Sequence, residues 1–171
     1  MRLLLVPAAL VGGGGLLSVV LLLVTLASGA LEVRIAGNAA ATDAAHLLTV
    51  LDGQHRLTVD RLEALGANVT VLDERMEAYL AQRGRVGQVP AALALVDAID
   101  HESAFLLGDR TVSVDKMDLN HQIVTLRAAR HTYDQALESW QHAAETWRGG
   151  AAVRLGLAYA PDENWLAPPT P

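Results

Sequence analysis

The sequence predicts an all-α protein: an antiparallel helical bundle of long helices carried by one N-terminal transmembrane helix. Three observations point there. No charged side chain occurs between Leu3 and Leu31. Two later stretches place seam residues at alternating steps of three and four, the spacing of a helix packed along its length. The composition is 51% hydrophobic but only 4% aromatic and rich in Ala, Leu and Val, so aliphatic side chains must build the core, as they do between packed helices. The chain divides into an anchor over residues 1–31, a helical domain over 32–160 and a Pro-rich tail over 161–171.

Within the anchor, apolar residues are interrupted by Pro7, the Gly12-Gly13-Gly14-Gly15 run, Ser18, Thr25, Ser28 and Gly29. About 20 apolar residues cross a hydrocarbon core roughly 30 Å thick, and residues 8–30 meet that length. Lipid offers no partner to a free backbone N–H or C=O, so a helix is expected even through the glycines. A cleaved signal peptide is the alternative, with Met1-Arg2 as its basic start and Ser28-Gly29-Ala30 as small residues at a cleavage site. The apolar stretch exceeds the roughly 7–15 residues of a signal core, which favours a retained anchor. The expected location is the cell membrane, in a single pass, with the lipid bilayer as first partner. Arg2 on one side and Arg34 on the other leave the orientation open.

The domain begins with Gly37 and a small-residue patch from Ala39 to Asp43. A first seam follows: Leu48, Leu51, His55, Thr58, Leu62, Leu65, Val69, Leu72, Met76 and Tyr79. It predicts one helix ending near Arg83, ahead of Gly84 and Gly87. Gly53 and Gly66 fall off the seam; each costs about 1 kcal/mol against Ala and need not stop the helix, though either can kink it. Pro90 suits a first helical turn, and Leu93, Val96 and Ile99 continue an apolar face towards Phe105 and Leu106, with Gly108 as C-cap. Residues 109–115 form a connection in which Asp109 or Ser113 is the next N-cap. The second seam is Leu119, Ile123, Leu126, Arg130, Tyr133, Leu137, Trp140, Ala144 and Trp147. Gly149-Gly150 ends it, and a short helix is expected from Ala151 to Leu157. Pro161, Pro168, Pro169 and Pro171 predict an irregular tail. A parallel coiled-coil oligomer would share the seams, but glycine breaks near residues 84–87 and 108 favour folding back within one chain.

Several functions are disfavoured at once. The net charge is −6, and removing residues 1–31 takes away only Arg2, leaving −7, so no basic face awaits nucleic-acid phosphates. The chain has no cysteine, which excludes disulfides, thiolate nucleophiles and Cys-zinc sites.

The remaining sites each have a plain reading beside a functional one. Tyr133, Trp140 and Trp147 lie seven apart on one stripe. They read as a partner surface or, given the area each ring buries, as core. Arg130 on the same seam can pair with Glu63 or Asp73, or run its head to water over a packed stem. His55 and Thr58 are polar seam positions that either fix register through a buried contact or lie at a wet edge. Asp97 and His101, and Asp115, Asp118 and His121, have helical spacing for metal ligands but no HExxH or closed ligand set, so exposed polar faces explain them. Ser113-Val114-Asp115-Lys116 lacks the companion motifs of serine acyl enzymes and reads as a helix start. The glycine run lacks a following Gly-Lys-Ser/Thr and is no phosphate loop. The sequon Asn68-Val69-Thr70 is expected mid-helix, where glycosylation is disfavoured.

Residues 129–141, Ala-Arg-His-Thr-Tyr-Asp-Gln-Ala-Leu-Glu-Ser-Trp-Gln, resemble the signature of the LemA family. Ala129-Arg130 stands for the family's Ala-Arg pair, Tyr133-Asp134 and Trp140-Gln141 for its two Tyr-Asn pairs, and Trp147-Arg148-Gly149 for Phe-Pro-Gly. Arg154, Leu155 and Leu157 fall in the family's next short helix. The match covers the last third of the domain; residues 57–62 lack the proline of the family's first-helix motif, and Leu119-Asn120-His121 replaces its acidic-Asn motif. The resemblance implies a divergent, bacterial, single-pass membrane protein with no catalytic residues, cofactor or metal. The expected role is a non-catalytic interaction or scaffold component with a membrane protein partner. A metal-dependent or enzymatic component using the His and Asp residues is the alternative.

Overall fold

The computed structural model describes residues 5–85, 87–107 and 114–161. Among them every regular element is a helix: α1 (Leu5–Ala64), α2 (Val69–Ala81), α3 (Gln88–Leu107), α4 (Val114–Glu145) and α5 (Trp147–Arg154). The expected caps at Gly108, Asp109 and Ser113, and the tail beyond Pro161, lie outside the described residues.

α1 runs 60 residues without interruption, carrying the apolar stretch directly into the domain. The patch from Ala39 to Asp43 is helix, in keeping with alanine's high propensity. The buried positions of α1 are Gly29, Ala30, Val33, Gly37, Ala40, Ala44, Leu47, Leu51, Thr58, Val59 and Leu62. The packed seam therefore starts at Gly29, well ahead of Leu48.

The single helix expected to reach Arg83 is two. Gly66 adopts φ +89, its N–H donates to the Glu63 carbonyl at 2.9 Å, and the Ala67 N–H donates to the Leu62 carbonyl at 2.9 Å. This is a Schellman closure, in which a left-handed residue lets the chain satisfy its own last carbonyls. The propensity argument priced Gly66 as a helix interior, whereas the chain uses its access to positive φ. α2 then packs back, and the Tyr79 hydroxyl donates to Asp52 Oδ1 at 2.6 Å. α3 follows a turn held by the Gly84 N–H donating to Gln88 Oε1 at 2.8 Å. It buries Val89, Ala92, Leu95, Val96 and Ile99, while Leu93 is half-buried.

α4 extends 32 residues and buries Leu119, Ile123, Leu126, Ala129, Tyr133 and Trp140. It runs against α1 in the opposite direction. Arg61 pairs with Asp118 at 3.3 Å, Thr58 donates to Gln122 Oε1 at 3.3 Å, and Gly37 lies under the Trp140 ring. α4 ends before Gly149-Gly150, because Thr146 turns extended (φ −58, ψ 150) and its hydroxyl accepts the Gly149 N–H at 3.0 Å. That N-cap starts α5 at Trp147, ahead of the expected Ala151, and places both glycines inside it. Gly156 at φ +70 closes α5, with the Leu157 N–H on the Ala152 carbonyl at 2.9 Å.

The buried side chains form two clusters. The larger one joins Leu47, Leu51, Leu62, Leu72, Tyr79, Leu95, Ile99, Leu119, Ile123 and Leu126 across α1 to α4. The smaller one, nearer the apolar stretch of α1, joins Ala30, Val33, Ala40, Trp140, Ala152 and Ala158 across α1, α4 and the α5 region.

Candidate functional site

The aromatic stripe divides. Tyr133 and Trp140 are buried at 4% and 3% exposure, but Trp147 is 66% exposed. The cause is Thr146: one extended residue ends the register of α4, and Trp147 begins a new helix on a different face. Burial pushes the Tyr133 phenol up, and the neighbouring Asp134 carboxylate adds to that shift. Arg130 pairs with neither Glu63 nor Asp73. Its guanidinium contacts Asp97 on α3 and lies 3.5 Å from Asp134 one turn along α4. The spacing rule identified an arginine needing an acid, but the partner came from α3, whose placement beside α4 periodicity does not encode. Arg127 makes the companion pair with Asp100.

Thr58 is fully buried, so the seam carries a buried polar contact at this position. Its hydroxyl donates to the Gln54 carbonyl at 2.9 Å and to Gln122 Oε1 on α4 at 3.3 Å. The His55 Nδ1 lies 3.0 Å from the Leu51 carbonyl, and its ring meets Tyr79 edge-on at 6.2 Å. Tyr79 is pushed up to about 12, first by burial and then by its hydrogen bond to Asp52. Asp52 also pairs with Arg83 at 2.9 Å.

The acid and histidine sets do not assemble among the described residues. Asp97 is engaged by Arg130 and Asp118 by Arg61, His101 and His121 are exposed, and no group of three such side chains converges. The Asp115 side chain and Ser113 lie outside the described residues. Asn68 is not mid-helix. It is the exposed N-cap residue of α2 in the turn that Gly66 creates.

What converges instead lies beside the exposed apolar stretch of α1. Leu17 and Val19 through Val24 all lie exposed along α1, from 49% to 66%. Immediately beyond them the helices close. A Cβ on Gly29 would stand 2.6 Å from the Arg148 backbone carbon, and one on Gly37 would stand 3.0 Å from the Trp140 ring. A Cβ on Gly149 would come within 1.9 Å of the Ala143 carbonyl oxygen and 2.9 Å of Val33 Cγ2. These glycines are spaces: bare backbone at Gly29 and Gly149 admits α5 to α1, and bare backbone at Gly37 admits the Trp140 ring of α4. The Arg34 Nε–H donates to the Leu157 carbonyl at 3.1 Å and ties the end of α5 to α1. Sequence reasoning missed this set, although Gly29, Val33, Gly37 and Ala40 continue the three-four spacing backwards from Ala44 and Leu47. Treating the glycines as interruptions of an apolar run concealed them.

Comparison with known proteins found no family model, no curated protein and no solved structure that matches this chain.

Proposed function

We propose that this chain is a single-pass membrane protein whose antiparallel helical bundle acts as a non-catalytic scaffold at the bilayer. The supporting observation is the split character of α1. Its apolar window has a mean hydropathy of 2.0, yet only 17% of it is buried. An apolar helix of that length left uncovered by its own chain has lipid as its natural solvent. The other half of the same helix supplies Leu47, Leu51 and Leu62 to the larger core. One rigid element thus serves as both span and core, so the bundle is held close to the surface and its faces reach membrane-protein partners at high effective concentration. The resemblance of residues 129–141 to the LemA family belongs to this proposal and points the same way.

Two measurements test the reading. Full-length protein should stay in the membrane pellet through alkaline carbonate extraction; release into the supernatant overturns the anchor. Proximity labelling should then return a reproducible set of membrane-protein neighbours. The control keeps residues 1–28 and replaces the bundle with an unrelated helical domain. Equal labelling by both chains overturns the scaffold role while leaving the anchor in place.

A further inference from the structure

We propose that α5 and the turn after it form a second membrane contact, an amphipathic collar seated in the headgroup–acyl boundary at the base of the α1 span. The proposal rests on the reading of α1 as a membrane span, and it adds what the bundle does where that span ends.

Position comes first. Val24 ends the unbroken run of exposed apolar residues on α1, with Leu31 and Ile35 exposed again further along, and the Arg148 backbone packs against Gly29. Those five residues correspond to about 7.5 Å of helix rise, within the roughly 5–10 Å depth that interfacial helices occupy. If the apolar face of α1 is in lipid, the start of α5 is at the bilayer surface. No linker intervenes, because α1 continues without a break through Gly29.

The chemistry of the collar suits that depth. Trp147, Leu155 and Tyr159 are 66%, 62% and 60% exposed, a cluster of large apolar groups facing outwards at this end. On α5, Trp147, Gly150, Ala151, Arg154 and Leu155 line one shallow depression, so the tryptophan and leucine share a face. Tryptophan and tyrosine concentrate at membrane interfaces because each joins an apolar ring to a polar N–H or O–H. Leu157 lines a second depression with Leu23, Leu26, Ala27 and Leu31, so the collar's apolar surface is continuous with that of the span.

Charge agrees as well. Among the described residues Arg34, Arg148 and Arg154 are exposed here, against Glu32 and Glu145, an excess of one positive charge in a domain that is otherwise strongly acidic. Arg148 stacks over the Trp147 ring at 5.6 Å, an arrangement that keeps its stem on apolar surface and its head free for phosphate. The excess is too small to drive binding alone, so zwitterionic lipid is sufficient. Two contacts fix what a lone span leaves free: the azimuth and tilt of the bundle, and hence which face meets a partner.

The chain has no cysteine, so a single introduced one takes a label cleanly. Full-length Leu155→Cys carrying the environment-sensitive dye NBD, in phosphatidylcholine vesicles, is compared with Met117→Cys, 63% exposed on the first turns of α4 at the opposite end. After vesicle flotation, the label at 155 should emit blue-shifted and lose about half its intensity to lipids brominated on the acyl chain, while that at 117 stays water-like. Failure to float overturns the span and the collar together. Flotation with water-like emission at 155 overturns the collar alone. Blue-shifted emission that bromolipid does not quench means protein, a second copy or the chain's own C-terminal segment, covers the face, and it too overturns the collar.

Discussion

The two ends of the helical body use one seam in two ways. Away from the apolar stretch of α1, leucines from α1, α3 and α4 interlock with Tyr79 and Ile99, and the helices are held apart by the side chains that fill the space. Next to that stretch the same three-four spacing carries Gly29, Val33, Gly37 and Ala40, and a single large ring, Trp140, fills the gap. Leucine packing gains stability from buried area. Glycine and alanine packing gains closeness, bringing the backbone of α5 against α1, and small residues serve the same purpose between membrane helices. The lesson is that the larger core determines whether the protein folds, and the smaller one determines where α5 sits on α1.

Truncation in each region should separate these roles. Leu126→Ala empties a fully enclosed site in the larger core and should cost about 2–5 kcal/mol, read as a lower midpoint of helix loss by circular dichroism in detergent. Gly29→Val should act differently. Its added carbons meet the Arg148 backbone, which has nowhere flexible to go, and overpacking of this kind costs about 1–3 kcal/mol. Because α1 and α4 stay packed elsewhere, α5 should detach locally, so trypsin should cut at Arg148 and Arg154 while the global midpoint moves little. A global loss as large as that of Leu126→Ala would merge the two regions into one cooperative core.

A pH scan sharpens the contrast, since the strongly shifted Tyr79 phenol lies in the larger core. Its value is raised from 10.0 to about 12, so the folded state holds that proton more tightly than the unfolded chain. The stability it contributes is complete below pH 10 and is lost as pH rises from 10 towards 12, at up to about 1.4 kcal/mol per pH unit. Tyr79→Phe should flatten this alkaline loss, and Tyr133→Phe should flatten it less. An unchanged alkaline slope in Tyr79→Phe would place the titration elsewhere.

Much of this architecture was legible in the sequence, and the misses share a cause. Spacing alone identified the face of α4 from Leu119 to Trp140, because a helix writes its buried face at a period that needs no tertiary knowledge, and the charge-free run identified the apolar half of α1. The breaks at Gly66 and Thr146 were missed because the residues on either side continue the three-four count through both. Leu62-x-x-x-Gly66-Ala67-Asn68, a glycine after the last packed leucine with an N-cap residue two further on, carried the signal at the first break. Thr146 carried it at the second. The acidic partners of Arg127 and Arg130 were beyond reach, since the order of helices around a bundle is not a periodic property.

Thr146 tests how firmly that second break is held. Its hydroxyl accepts from Gly149 N–H at 3.0 Å and donates to the Ala143 carbonyl at 2.8 Å, so one side chain ends α4 and starts α5. Thr146→Ala should cost about 1 kcal/mol, the usual value of such a cap. The loss should register in α5, as faster amide exchange over 147–154, with the core helices unaffected.

The smallest effect is expected where the geometry is most regular. Arg127 with Asp100 and Arg130 with Asp97 make two rungs between α3 and α4, and their numbering runs in opposite directions as antiparallel helices require. Yet the side chains of Arg130 and Asp97 are 32% and 59% exposed, so water and salt screen them, and exposed pairs contribute about 0–1 kcal/mol. A double-mutant cycle with Arg130→Met and Asp97→Asn should return a coupling below about 1 kcal/mol that shrinks further at high salt. Such a value leaves alignment to the leucine core: a slip of one helical turn exchanges two pairs for one, Asp100 with Arg130 or Asp97 with Arg127, so the rungs favour the native register by no more than a single exposed pair. A coupling well above that, insensitive to salt, would mean the α3–α4 face is drier than its exposure indicates and would extend the larger core to the surface there.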